Sequence, residues 1–250
     1  MVRAIGLALL VCACRAEAPP LRVAAAADLE RSLGRVVEAF VASGAPQPTV
    51  SYGASGLYAQ QLIDGAPFDV FLSASGAFVD RAVAAGRCDP NTRRIYAVGQ
   101  LVLITAPGIE PARALTDLTD PRFMKIALAN PEHAPYGQAA LAALQNAKVF
   151  EAVEGRLIRG DNVRQALTYV ETGNAEVGLV AASLVVGQAG VAPVDPQLYP
   201  PLEQVLVVCA PPERAPLARR FADLVTGPEG QRILQEHGFR RSLEPSNELP

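Results

Sequence analysis

Residues 51–74, SYGASGLYAQQLIDGAPFDVFLSA, constrain the fold of this chain more than any other stretch. They combine an extended segment, a turn of small residues, an amphipathic helix and an apolar run that contains a single Asp. A strand, a helix and a buried strand in this order are typical of a parallel βαβ unit. The same alternation recurs elsewhere along the chain, and we therefore predict an α/β fold with helices on both faces of its sheets.

The turn at 53–56, Gly-Ala-Ser-Gly, is a candidate anion site. Its residues have little side chain to obstruct a ligand, and they begin a helix, where backbone N–H groups lack intrahelical partners. Such helix ends attract anions, and Ser55 would add a hydroxyl donor without any formal positive charge. Ser55 also fits an ordinary N-cap, which is the commoner role for a serine at this position.

The composition argues against several classes of function. Half of the 250 residues are hydrophobic and 19% are charged, as in a globular chain with a sizeable core. A net charge of -3 without a cluster of Lys and Arg argues against nucleic acid or an anionic membrane as a partner. Only His133 and His237 are available for a histidine-based metal site or a nucleophile–His–acid triad.

Residues 1–18 are predicted to be an export signal, because an early Arg precedes a short apolar run and several small residues. Cleavage before Cys14 would leave a lipid on that cysteine, whereas cleavage a few residues later would release the chain. Either route predicts a protein located outside the cytoplasm. Cys88 and Cys209 could then form a disulfide, but a buried free thiol is the commoner state for a cysteine in an apolar strand such as that of Cys209.

Two comparable α/β units are predicted, joined through apolar strands at 101–105 and 205–210. The predicted division is 21–100 for the first part of lobe 1, 101–210 for lobe 2 with its crossover strands, and 211–250 for helices and a tail that return to lobe 1. Ligands of parallel sheets bind at the carboxyl ends of the strands. The turns that follow the strands are therefore expected to face one crevice.

Four helices are predicted to begin at this crevice, at Asp28, Ser55, Tyr136 and Val163. Their N-termini, with the hydroxyls of Ser55 and Tyr136, would hold a tetrahedral dianion through partial charges alone. Each residue taken singly also fits a structural role. The competing class is a serine hydrolase with Ser55 as nucleophile and His133 as base, but Leu57 replaces the final glycine of the G-x-S-x-G elbow.

The sequence resembles the periplasmic molybdate-binding proteins of ABC-type molybdate importers over about residues 23–239, in the segments VAAAADLERSL, YGASGLYAQQLIDGAPFDVFLSA, IALANPEHAPYGQAALAAL and GDNVRQALTYVETGNAEVGLVAASL. The resemblance implies a two-lobe type II periplasmic binding fold with the ligand in the cleft between the lobes. It further implies a monomer that captures molybdate or tungstate for a membrane permease, without catalysis, a cofactor or a metal other than that of the oxyanion. Another tetrahedral oxyanion, such as sulfate or phosphate, is the alternative ligand.

The resemblance also places the ligand-binding residues, at Asp28, Ser55, Gly56, Tyr136 and Val163. Asp28 is a departure, because the family often has Ser there and a carboxylate repels a dianion. We expect Asp28 to offer its N–H while its side chain caps the helix or turns away. Many members have a tyrosine at the position of Ala181, and Tyr136 is expected to supply that hydroxyl instead.

Overall fold

The computed structural model of the protein describes residues 19–241, so the predicted export signal and the alternatives for Cys14 lie outside the described residues. Within this range the chain forms two five-stranded sheets, each flanked by helices. The predicted two-lobe α/β fold is thereby confirmed. No helix of residues 19–241 is long and apolar enough to cross a membrane.

The first lobe is built on a sheet with the strand order β2-β1-β3-β10-β4. Its strands are β1 (Arg22–Ala26), β2 (Thr49–Gly53), β3 (Val70–Ser73), β4 (Arg94–Gly99) and β10 (Leu202–Val208). Its helices are α1 (Glu30–Ala42), α2 (Ser55–Ile63), α3 (Gly76–Ala84), α7 (Ala215–Thr226) and α8 (Pro228–Glu236).

The second lobe is built on a sheet with the order β7-β6-β8-β5-β9. Its strands are β5 (Leu101–Thr105), β6 (Ile126–Ala129), β7 (Leu157–Gly160), β8 (Val177–Ala181) and β9 (Val191–Pro193). Its helices are α4 (Pro135–Asn146), α5 (Phe150–Val153) and α6 (Val163–Glu171).

The two sheets share one topology. In each, three neighbouring strands pair in parallel, and a fourth strand, β10 or β5, runs antiparallel to both of its neighbours. The chain passes between the sheets twice, at Gln100 and over residues 194–201. Because parallel strands of one sheet share an edge at their carboxyl ends, each lobe presents its turns to the other.

The position of β10 differs from the predicted division, since this strand lies within 101–210 but pairs in the first sheet. It is buried between β3 and β4, and hydropathy cannot assign so apolar a strand to one sheet or the other. Two strands, β4 and β9, have no counterpart in the sequence-based prediction. β4 is separated from β5 by Gln100 alone, so the two strands read as one apolar run.

The core of the first lobe lies on both faces of its sheet. On one face α1, α7 and α8 cover the strands, and the rings of Phe40 and Phe221 meet edge to face with centroids 5.1 Å apart. On the other face α2 and α3 pack Ala59 and Phe78 against Phe71 of β3. Burial of these side chains provides most of the stabilisation that holds the turns at the sheet edge in place.

Cys88 and Cys209 form a disulfide that joins positions 121 residues apart. The backbone explains the pairing, because the N–H of Asp89 donates to the carbonyl of Val208 at 2.9 Å and holds the segment before β4 beside the end of β10. The buried free thiol expected as the commoner state of Cys209 is therefore not what the structure shows. The two cysteines are too far apart in the sequence for local patterns to predict this contact, which depends on the order of the strands in the sheet.

The disulfide predicts a measurable loss of stability when both cysteines are replaced. The double variant Cys88→Ser, Cys209→Ser should lower the free energy of unfolding by about 2 to 4 kcal/mol, because a long loop in the unfolded chain is no longer closed. Denaturant unfolding of the oxidised parent and the variant measures the difference. Reduced parent protein is the control and should unfold with the variant; equal stability of all three samples would contradict the expectation.

Candidate functional site

A narrow cleft between the lobes brings together four of the five predicted site residues. Its lining consists of Ala26, Ala27, Asp28, Gly53, Ala54, Ser55, Ala74, Ala134, Pro135, Tyr136, Asn162 and Val163. Asp28 is the only charged side chain among them, and the lining contains no Lys or Arg. The space has room for about one water molecule, so a larger ligand requires the lobes to separate as it enters.

Three α-helices begin at the cleft, one from the first lobe and two from the second. Ser55 is the first residue of α2, Tyr136 the second of α4 and Val163 the first of α6. Their backbone N–H groups donate no hydrogen bond to another group of residues 19–241. Unpaired N–H groups at helix N-termini give the cleft a positive potential without a cationic side chain.

Local sequence explains why these donors stay free. Asn162 caps α6 by accepting from the N–H groups of Arg164 and Gln165, both at 3.0 Å, and the N–H of Val163 is not part of this cap. Pro135 is the first residue of α4. Proline has no backbone N–H, so this position adds no unpaired donor. The helices are thus anchored one or two residues away from the groups that face the cleft.

Ser55 is buried, and its hydroxyl has one partner that leaves its proton available. The Oγ accepts from the backbone N–H of Ala74 at 3.0 Å, and no side-chain cap of α2 is formed. The N-cap alternative for Ser55 is therefore wrong, since Ala54 occupies that position. Because the Oγ accepts from Ala74, the O–H is oriented to donate elsewhere, and the side chain lies in the lining of the cleft.

Gly56 requires a correction, because it contacts the opposite lobe. Its N–H donates to the carbonyl of His133 at 2.9 Å, and a Cβ at this position would lie 2.8 Å from the same oxygen. It does not appear in the lining of the cleft. The glycine predicted to bind the anion is instead the point where the backbones of the two lobes touch.

Two further contacts hold the lobes closed. The hydroxyl of Ser183 donates to the backbone carbonyl of Asp28 at 2.8 Å, and Arg164 pairs with Glu30 at 3.0 Å. The ring of His133 lies with its Nε2 3.0 Å from the carbonyl of Asp161. No hydrogen bond of the described residues joins that ring to Ser55.

Asp28 is fully buried, and its side chain does not cap a helix. It lies in a short 3-10 helix, Ala27–Leu29, that precedes α1, and neither element has a side-chain cap. Neither carboxylate oxygen forms a hydrogen bond of normal geometry with the described residues, although the Tyr136 hydroxyl and the Gln204 amide lie close to the carboxyl group. Burial raises the pKa of Asp28 to about 7, although the Tyr136 hydroxyl, its own backbone N–H and the Gln204 amide act to lower it. The side chain therefore does not cap the helix, which was the first of the two expected roles, and it points into the protein interior.

Tyr136 reaches across the cleft from the second lobe. Its hydroxyl packs against Gly99 and Gln204 of the first lobe, where a Cβ on Gly99 would clash with it. This hydroxyl has no hydrogen-bond partner among the described residues. Burial and the nearby Asp28 carboxyl raise the pKa of Tyr136 well above its usual value. The group expected to donate to the ligand therefore lies beside Asp28.

Gln204 completes what we call the interlobe cluster, defined as Asp28, Tyr136 and Gln204. Its Oε1 accepts from the Tyr96 hydroxyl at 3.2 Å, while its Nε2 has no partner among the described residues. A bulge between Gln204 and Val205 interrupts the register of β10 with β4 at this point. Gln204 was not among the residues predicted from the sequence. The signal available there was a lone amide within the apolar run of β10, where the structure buries it completely.

Comparison with known proteins gives the chain clear relatives. Residues 21–240 match the family described as bacterial extracellular solute-binding protein. The chain is 36% identical to the molybdate-binding protein ModA of Rhodobacter capsulatus over 200 residues, 76% of each chain. It is 33% identical to ModA of Azotobacter vinelandii over 247 residues, 96% of each chain. The solved periplasmic molybdate-binding protein of Azotobacter vinelandii has a TM-score of 0.83 at 26% identity, covering 89% of this chain and 99% of that chain.

The contact at Gly56 predicts that Gly56→Ala opens the lobes. The added methyl would lie 2.8 Å from the His133 carbonyl, and so the closed arrangement should be destabilised while each lobe stays folded. Small-angle scattering of the ligand-free variant should show a larger radius of gyration than that of the parent. Gly34→Ala is the matched control, since a methyl there meets nothing within 4 Å; an unchanged radius in Gly56→Ala would refute the expectation.

Proposed function

Since the chain belongs to the bacterial extracellular solute-binding protein family, we propose that it captures molybdate or tungstate in the cleft between its lobes and delivers the anion to the permease subunits of an ABC importer. The support is twofold. Relatives named for molybdate binding match over 76% and 96% of the chain. The cleft also has the donors and the charge pattern that a tetrahedral dianion requires.

The observation that carries the proposal is the convergence of the α2, α4 and α6 N-termini on one lining. Each helix end is equivalent to roughly half an elementary positive charge, so three of them offset most of the charge of a dianion. We propose that the N–H groups of Ser55, Tyr136 and Val163, with the Ser55 hydroxyl, bind the oxygens. Asp28 contributes its backbone N–H to the same set. Gly56 is left out, because its N–H is already bonded to His133.

Binding to both lobes at once explains the closed arrangement. Ser55 belongs to the first lobe, whereas Tyr136 and Val163 belong to the second. An anion that contacts all three favours the closed state by its differential contacts. The room now present in the cleft fits about one water, so capture proceeds from an open form that closes around the anion.

The donors engage oxygens and not the central atom, so molybdate and tungstate are held by identical bonds, and sulfate or phosphate differ mainly in size. We place the protein in the periplasm as a monomer that needs no cofactor, metal or nucleic acid. A catalytic role finds no support, since Ser55 is bonded to a backbone N–H and not to a base.

Replacing Ser55 by alanine tests the proposal most directly. The loss of one hydroxyl donor to a charged acceptor should weaken molybdate binding roughly ten- to a hundredfold, a free-energy change of about 1.5 to 3 kcal/mol. Calorimetric titration with molybdate gives the dissociation constants of the parent and the variant. Sulfate and phosphate are titrated in parallel, and tighter binding of either one would reassign the ligand.

Two controls accompany Ser55→Ala. The variant also leaves the N–H of Ala74 without its acceptor, so thermal unfolding must show that the protein remains folded at the titration temperature. Ser43→Ala removes a hydroxyl from the exposed end of α1, bonded to Phe40, and should bind molybdate as the parent does. Parent-like affinity in Ser55→Ala would show that the hydroxyl is not a ligand.

A further inference from the structure

The interlobe cluster contains more unsatisfied polar atoms than a buried site normally tolerates. Asp28 is 0% exposed and Tyr136 2% exposed. The carboxylate oxygens, the phenolic hydroxyl and the Gln204 Nε2 form no hydrogen bond of normal geometry among residues 19–241, although the phenol and the amide lie close enough to the carboxyl group to lower its pKa. Buried polar groups are almost always paired, because an unpaired one loses its hydration without compensation. Such a cluster therefore indicates a site that gains a proton or a ligand.

The cluster exists only when the lobes are closed. Asp28 and Gln204 lie in the first lobe, while Tyr136 belongs to α4 of the second. The carbonyl of Asp28 is also covered by Ser183 of the second lobe. Separation of the lobes withdraws the phenol and Ser183 together and admits water to the carboxyl group.

No positive charge compensates Asp28 in the closed form. Its titratable neighbours are the tyrosines Tyr96 and Tyr136, whose pKa values are both raised well above the usual value. On the elements packed against it, Arg164 of α6 is paired with Glu30 of α1 and with Glu171. Tyr52 of β2 has its pKa raised to about 12 and stays neutral. Within the described residues, no cation bonds to the carboxyl group.

An ionised Asp28 would also face the captured anion. Asp28 belongs to the lining of the proposed binding cleft, so an ionised carboxyl group would add a second negative charge close to the anion in a desolvated space, where like charges repel each other strongly. A neutral carboxylic acid removes the repulsion and adds an O–H donor to a site where the anion, the phenolic oxygen and the Gln204 amide can all take part in hydrogen bonds.

We propose that closure of the cleft on its oxyanion transfers one proton from solvent to the Asp28 carboxyl group, so that the protein captures the anion and a proton together. This inference rests on the proposed function and identifies how the same site balances its charge. The departure from the family at Asp28 thereby acquires a role: the proton is a second ligand.

The sign of the pH dependence follows from the two states. In the open form the carboxyl group meets water and keeps the ordinary pKa of 3.8, whereas in the closed form burial raises the pKa to about 7. Between these values closure takes up a proton, so affinity falls as pH rises, by up to about tenfold per pH unit. Above the higher value both forms are ionised, and the dependence levels off.

Calorimetry with sodium molybdate in two buffers of different ionisation enthalpy tests the proposal. The difference between the observed heats counts the protons that the parent takes up on binding. We expect close to one proton at about pH 6, about half a proton at about pH 7, and a roughly tenfold fall in affinity between about pH 6 and about pH 8. This measurement uses the parent protein alone and does not depend on any variant folding.

Asp28→Asn is the matched variant, because the carboxamide has the same shape and stays neutral at every pH. It should bind molybdate without proton uptake and with a flat pH profile, and any protonation of molybdate itself remains as its baseline. Binding by the parent without proton uptake, or equal uptake in Asp28→Asn, overturns this inference alone. Failure of the parent to bind molybdate at any pH overturns the proposed function with it.

Discussion

The N–H groups that open an α-helix cannot find acceptors within that helix, and the architecture of this protein is organised around three such groups that lack partners. α2, α4 and α6 each begin at the carboxyl end of a strand, and each presents its first turn to the same cleft. A site made in this way needs no arginine or lysine. The positive electrostatic potential of the site comes from backbone N–H groups that the fold already requires. Selectivity among anions therefore depends on how the two lobes meet around the ligand.

The meeting of the lobes depends in turn on the topology of the sheets. Each sheet has one reversed strand, and these two strands, β10 and β5, lie beside the segments through which the chain passes from lobe to lobe. Because both lobes present equivalent edges, a ligand held by helix ends from each is also a bridge between them. Closure brings Gly56 to His133 and Ser183 to Asp28. In both contacts a backbone carbonyl of one lobe accepts a hydrogen bond from a donor of the other lobe.

Sequence alone predicts the elements whose signals are local. The small-residue turn at Ser55 and the alternation of strand and helix depend on neighbours within a few positions, and the structure agrees with them. Contacts between distant segments are another matter. The pairing of Cys88 with Cys209, the place of β10 in the first sheet and the bond from Gly56 to His133 each arise from segments far apart in the chain. Hydropathy and periodicity have no access to such contacts. Gln204 was missed for the same reason, since its importance comes from Tyr136 on the opposite lobe.

Gly99 shows how one missing methyl group can link two positions that are never adjacent in the chain. The phenol of Tyr136 fits into the closed form only because position 99 has no Cβ. A larger residue at 99 would exclude an aromatic residue at 136, and it would also require the Gln204 side chain to move, since its Nε2 would lie 2.9 Å from the added Cβ. The two positions are therefore expected to vary jointly among related chains, because the closed cleft can form only when their side chains fit together.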